Sequence, residues 1–227
     1  MTNLQTWIQR HRLQWGFVLV ALFALLRAVQ TWTWRQGFGS LDFQENLPFA
    51  LFLLLWFVLL SVALIGGGIV WLTQTSWVQL GWRRKDLLKA IGLGLLGFVL
   101  LYINVIAWAM FKGNIAQPTM FAPSPTRFLL VALFAFGLPA WVEENLYRGY
   151  LQPLLTGRMS LVLAIVVQAA VFSVAHIGYY TNLLGFGMAF VAGLILGWLR
   201  KRNESLVGPY VAHGLFWLMG AFMPPPV

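Results

Sequence analysis

Long runs of apolar residues dominate the chain, and polar residues fall between these runs instead of alternating with apolar ones inside them. An α-helix that crosses about 30 Å of hydrocarbon needs about 20 mostly apolar residues. Segments of this kind recur along the whole chain, so the sequence predicts an all-α bundle of about seven to eight transmembrane helices. The predicted spans are residues 14–33, 47–72, 88–111, 127–155, 160–180, 183–199 and 205–222.

Composition supports the same class. Hydrophobic residues make up 60% of the chain and charged residues only 9%, whereas about a quarter of a soluble domain is charged. The formal net charge of +9 does not indicate a nucleic-acid partner, because Lys and Arg cluster at the ends of apolar runs, as topology signals do. The chain has no cysteine, which excludes disulfides, thiolate nucleophiles and cysteine metal ligands.

The loops predict the orientation in the membrane. Positive charge is concentrated in alternate loops, at Arg83, Arg84, Lys85 and Lys89, then at Arg158, then at residues 200–202. The positive-inside rule therefore places the amino terminus in the cytoplasm and the carboxyl terminus, with Pro224, Pro225 and Pro226, outside. The bilayer is the first predicted partner, and the predicted location is the cell membrane, as a multi-pass protein.

The first apolar run resembles a signal sequence because Arg10 and Arg12 precede it. No good small-residue cleavage site follows it, and Arg27 interrupts it. We interpret it as a retained membrane anchor.

The residues capable of chemistry lie inside the later spans. The fourth run leads from Phe128 to Val142 without a charge and continues directly into Glu143, Glu144 and Arg148. A charged side chain at membrane depth costs several kcal/mol unless it is paired or solvated, so its default interpretation is functional. His176 on the fifth predicted span lies at a predicted depth similar to that of Glu143, and His213 on the seventh lies somewhat shallower.

The spacing suggests different roles for the two glutamates. Glu144 and Arg148 are one helical turn apart and can form an ion pair, which leaves Glu143 freer to act on something else. Glu143 is then a candidate general base that activates a water. His176 is a candidate for positioning that water, and His213 for donating a hydrogen bond to the oxyanion formed on an amide carbonyl.

Other interpretations stay open from the residues alone. A lone histidine on a spanning helix is often an interhelical hydrogen bond, and a Glu with Arg four residues later is often a structural pair. Two His and a Glu suffice for zinc, although the helical H-E-x-x-H arrangement is absent. A small transporter or proton relay would also use buried carboxylates, but it would be expected to show inverted repeats.

Three motifs resemble one known family. Residues 143–148 have the form E-E-x-x-x-R, residues 172–176 the form F-x-x-x-H, and His213 lies after a Gly-rich span. In this order they resemble the CAAX-processing and bacteriocin-processing (CPBP, or ABI) intramembrane glutamic endopeptidases. The resemblance covers roughly residues 125–222. We therefore divide the chain into spans 1 to 3 at residues 1–124 and a protease-like core at residues 125–227.

The resemblance implies an activity and a set of roles. The activity is hydrolysis of a peptide bond in a peptide or membrane-protein substrate, prenylated or not, by a glutamate-activated water without metal or cofactor. Glu143, His176 and His213 would be catalytic, with Glu144, Arg148 and Phe172 in support.

One position departs from the family pattern. Four residues after the second histidine the family usually has Asn, and here the residue is Trp217. Loss of one oxyanion donor lowers a rate by about 100- to 1,000-fold. Trp217 is therefore the feature that favours the alternative function, a non-catalytic bacteriocin self-immunity or peptide-binding membrane protein of the same fold.

Overall fold

A computed structural model describes residues 2–37, 47–111, 122–177, 180 and 182–222. All regular elements within these ranges are helical, as predicted. The α-helices are α1 Asn3–Arg10, α2 Arg12–Gly37, α3 Leu47–Leu60, α4 Trp77–Leu80, α5 Leu87–Phe111, α6 Pro125–Ala135, α7 Gln152–Thr156, α8 Leu161–Val174, α9 Leu183–Asn203 and α10 Val207–Leu218. Ser61–Trp71 continues α3, and Phe136–Leu151 joins α6 to α7. The carboxyl-terminal prolines lie outside the described residues.

Five helices of the described chain are long and apolar enough to cross a membrane. They are Arg12–Trp32, Leu54–Trp71, Leu87–Phe111, Pro125–Thr156 and Leu183–Asn203. The two other predicted spans correspond to α8 and α10, helices of 14 and 12 residues. The all-α, multi-pass class is confirmed, while the number of seven to eight spans stays a prediction.

The segment Phe136–Leu151 carries the E-E-x-x-x-R motif and is not the regular α-helix that the sequence predicts. Its backbone winds as a π-helix with i→i+5 hydrogen bonds, and the N–H of Gln152 donates to the carbonyl of Tyr147. Pro139 lies inside the segment and has no N–H to donate, which breaks the α-helical ladder. Such windings are rare and are found often at functional sites.

Small residues bring the later helices together. A Cβ placed on Gly193 of α9 would lie 2.8 Å from Cα of Ala169 in α8, so the absence of a side chain on Gly193 lets the two backbones approach closely. On α10, a Cβ on Gly214 would overlap the ring of Phe136. This second contact seats α10 against the motif segment and sets the position of His213 beside it.

The predicted cytoplasmic loops meet at one end of the bundle. Arg83, Thr156, Arg200 and Lys201 line a common cleft there, and Arg83 forms an ion pair with Glu204 at 3.9 Å. The alternation of charge along the chain therefore corresponds to one charged face of the molecule.

Candidate active site

The six site residues predicted from the motifs come together inside the bundle. Glu144 and Arg148 are fully buried, Glu143, Phe172 and His213 are nearly so, and the His176 side chain is 12% exposed. They come from three parts of the chain: the motif segment, the end of α8 and the middle of α10. The convergence expected from helix depth is therefore present.

Glu144 and Arg148 form the predicted ion pair. Arg148 Nη1 donates to Glu144 Oε1 at 2.9 Å, and neither side chain is exposed. The same carboxylate oxygen accepts a 2.7 Å hydrogen bond from His213 Nδ1. Glu144 is thus the acidic centre that links the motif segment to α10.

Glu143 is arranged differently. Its Oε2 is buried without a hydrogen-bond partner in the described structure. The Nε2 atoms of His176 and His213 both lie 3.9 Å from it. This separation is too long for a direct hydrogen bond, but it suits a water that bridges the groups.

Backbone contact fixes the tautomer of His176. Its Nδ1 lies 2.7 Å from the carbonyl oxygen of Phe172. Because a carbonyl only accepts, Nδ1 carries the proton of the neutral ring, and Nε2 presents a lone pair toward Glu143. A water between Glu143 Oε2 and His176 Nε2 would therefore meet two acceptors.

Trp217 fixes the tautomer of His213. The indole Nε1 donates to His213 Nε2 at 3.0 Å, and an indole nitrogen is a donor only. Nε2 must then accept, which agrees with Nδ1–H donating to Glu144. In this tautomer the ring has no second N–H to offer, so its predicted role as the oxyanion donor itself stays a prediction.

Phe172 packs among the charged and titratable groups. The Arg148 guanidinium lies 4.2 Å from its ring centroid, a cation–π distance. The ring centroids of His176 and Tyr147 lie 4.6 and 5.1 Å from that of Phe172, and both rings contact it edge to face. Phe172 thereby holds the arginine and the first histidine in a fixed relation.

Two cavities flank His176. One has a volume of about 40 Å³ and is lined by His176, His213 and Trp217 together with mostly apolar residues of α5, α9 and α10. The other has a volume of about 10 Å³ and is lined by Glu143, His176 and residues of α2, among them Arg27. A small cavity therefore borders the candidate site on each side of His176.

Two participants were not assigned to the site from the sequence. Trp217 was identified only as a departure, although its spacing of four residues from His213 on a helix predicts contact. Arg27 was noted only as a charge within an apolar run, which is the signal that could have assigned it. Among the described residues, no group of three His, Asp or Glu side chains is arranged to hold a metal ion.

Fold and site together define a polytopic membrane protein with a buried glutamate and histidine centre. Residues 125–219 match the family model described as type II CAAX prenyl endopeptidase Rce1-like. The match confirms, for this part of the chain, the resemblance to the CPBP family that the three motifs carry. It supports a protease-type enzyme at the level of the family. No curated protein and no solved structure matches the chain. The division at residue 124 stays a prediction.

Proposed function

We propose that the protein is an intramembrane endopeptidase of the cell membrane that hydrolyses a peptide bond with a water activated by Glu143. The observation that carries the proposal is the unpartnered Glu143 Oε2 at 3.9 Å from His176 Nε2. A buried carboxylate oxygen without a partner is costly, and a bridging water would satisfy it. The family match of residues 125–219 supports the same reaction class.

The proposed reaction begins with that water. Glu143 accepts one of its protons while His176 Nε2 accepts a hydrogen bond from the other, and the water oxygen forms a bond to the substrate carbonyl carbon. The tetrahedral intermediate then breaks its C–N bond as Glu143 returns the proton to the leaving nitrogen. The products are a carboxylic acid and an amine.

The oxyanion of the intermediate needs a donor. Trp217 is proposed to supply it: the indole N–H donates to His213 Nε2 before the reaction, and it turns from there to the oxyanion, on the wall of the larger cavity that both side chains line. Its N–H takes the role that Asn has in the family pattern. Until the oxyanion forms, His213 holds the indole, and Glu144 orients His213.

The test is cleavage of a peptide library by the purified full chain in lipid vesicles, with prenylated and unprenylated members and with a chelator in a parallel sample. Glu143→Gln keeps the shape of the side chain but cannot accept the proton. Glu204→Gln makes the same change at an exposed carboxylate and serves as the matched control.

We expect cleavage that resists the chelator, is lost in Glu143→Gln and is unchanged in Glu204→Gln. Undiminished cleavage by Glu143→Gln would refute the mechanism. Loss on chelation would indicate metal chemistry instead. Binding without cleavage of any member would favour the non-catalytic peptide-binding alternative.

A further inference from the structure

A cleft of about 530 Å³ lies at the charged end of the bundle, where the predicted cytoplasmic loops meet. This volume is within the usual range of ligand sites, about 300–1,000 Å³, and it is far larger than the volumes of the two cavities beside His176. Three cations, Arg83, Arg200 and Lys201, line the cleft together with one carboxylate, Glu204. The cleft therefore combines room for a ligand with an excess of positive charge.

Arg200 differs from the other two cations because it is buried. Only 8% of its surface is exposed, whereas the side chain of Lys201 is 50% exposed. A buried Arg normally has an anionic partner, but within the described chain no carboxylate lies within ion-pair distance of Arg200. Glu204 instead pairs with Lys201 at 3.2 Å and with Arg83 at 3.9 Å. The charge of Arg200 is therefore left for a ligand.

Backbone contacts hold the guanidinium of Arg200 in place. Its Nε donates to the carbonyl oxygen of Arg148 at 3.2 Å, and its Nη2 donates to that of Leu80 at 3.4 Å. The group also packs against Gly81, where an added Cβ would lie 2.9 Å from Cζ. Nη1 makes no hydrogen bond within the described residues and is not fully buried. A preorganised donor therefore faces the ligand at little cost in ordering.

A phosphate group is the anion that this arrangement suits. A guanidinium presents parallel N–H donors that match phosphate oxygens, and a phosphate offers more acceptor oxygens than a carboxylate to cations on several elements. Basic pockets between membrane helices on the cytoplasmic side bind the headgroups of anionic lipids. Leu161 also lines the cleft, and both Leu161 and its neighbour Val162 are exposed. Apolar surface that acyl chains can cover therefore adjoins the basic cleft.

We propose that this cleft binds a phosphate group, with Arg200 at its floor and Arg83 and Lys201 at its rim. At the predicted cytoplasmic surface the group comes from the headgroup of an anionic lipid or from phosphate in solution, which share this chemistry. The site uses none of the residues of the proposed catalytic centre as ligands and does not depend on catalysis. Because Arg200 is bonded to the carbonyl of Arg148, a bound phosphate should also stabilise the motif segment.

Binding to the purified full chain in a non-ionic detergent and a phosphate-free buffer tests this proposal. The chain is titrated calorimetrically with dihexanoyl phosphatidylglycerol, dihexanoyl phosphatidylcholine and inorganic phosphate. The two lipids have the same acyl chains, but the phosphate of phosphatidylcholine is neutralised by its own quaternary ammonium group. Thermal unfolding with and without each compound is the second readout, since a ligand that binds the folded state raises the unfolding temperature.

Three variants separate this cleft from the general surface charge. Arg83→Gln combined with Lys201→Gln removes the rim. Arg84→Gln combined with Arg202→Gln is the matched control, because it removes the same charge at exposed neighbouring positions that do not line the cleft. Arg200→Lys keeps the charge at the floor but not the planar fork of donors. Circular dichroism establishes that the helices of each variant have formed, and the rim variant tests the site even if Arg200→Lys does not fold.

We expect phosphatidylglycerol to bind about 10- to 100-fold more tightly than phosphatidylcholine and to raise the unfolding temperature. The rim variant and Arg200→Lys should lose most of this preference, and the control pair should keep it. Displacement of the lipid by inorganic phosphate would identify the free ion as a sufficient ligand, whereas no displacement would identify the lipid headgroup. Equal affinities for the two lipids, or equal losses in the rim variant and the control pair, would overturn the proposal.

Discussion

Trp217 donates its indole N–H to His213 Nε2 at 3.0 Å, and this bond determines which atom of His213 can donate. The other ring nitrogen contacts Glu144 at 2.7 Å, and Glu144 contacts Arg148 at 2.9 Å. A chain of hydrogen bonds thus runs from Trp217 on α10 to Arg148 on the motif segment. The residue that departs from the family pattern is part of the polar network instead of a gap in it.

Trp217→Phe removes this N–H and keeps most of the ring volume. If the indole is the oxyanion donor, kcat should fall by about 100- to 1,000-fold, while KM changes little because the donor acts mainly in the transition state. Steady-state kinetics on a cleaved library member measure both. Trp217→Asn, which restores the family residue, should be faster than Trp217→Phe.

Unchanged kcat in Trp217→Phe would show that the indole only packs. The Trp217 ring also packs edge to face against Phe134, with 6.1 Å between ring centroids. Thermal unfolding in detergent is therefore measured beside the kinetics. A variant that has lost stability as well as rate would leave the packing role as the explanation, whereas loss of rate alone supports the donor.

The Glu144 and Arg148 pair should matter for folding as well as for function. Arg148→Met leaves the Glu144 carboxylate buried without its cation, and removal of one partner from a buried pair costs about 3–5 kcal/mol. The double variant Glu144→Gln, Arg148→Met removes both charges and should be more stable than Arg148→Met alone. Chemical unfolding in detergent micelles measures the free energies. A double variant less stable than the single one would contradict this account.

The sequence predicts the parts of this molecule that depend on spacing along one helix. The apolar runs predict the spans, because a helix in lipid must satisfy its own backbone and present apolar side chains. The interval of four residues predicts the contact between Glu144 and Arg148. Burial of Glu143 and Glu144 follows from their position in the longest apolar helix.

Relations between helices are harder to predict. Helix α2 is apolar on most sides, so no periodicity shows that Arg27 lines a cavity together with Glu143. The i→i+5 winding around Pro139 depends on how the motif segment packs, since a proline in a spanning helix is tolerated in several ways. The tautomer of His213 can be assigned only when its contacts with both Trp217 and Glu144 are known.

His176 provides the sharpest separation between a structural and a chemical role. His176→Asn can keep a donor for the Phe172 carbonyl, which Nδ1 contacts at 2.7 Å, but it removes Nε2. We expect kcat to fall by about 100- to 10,000-fold, the usual contribution of a general acid–base group, while the unfolding temperature is little changed.

His11 makes the same kind of contact on the surface, from Nδ1 to the carbonyl of Trp7 at 2.9 Å, so His11→Asn is the matched control and should be fully active. Near-normal turnover in His176→Asn would exclude Nε2 from the reaction. If His176→Asn is unstable while His11→Asn is stable, the ring of His176 is needed for packing against Phe172.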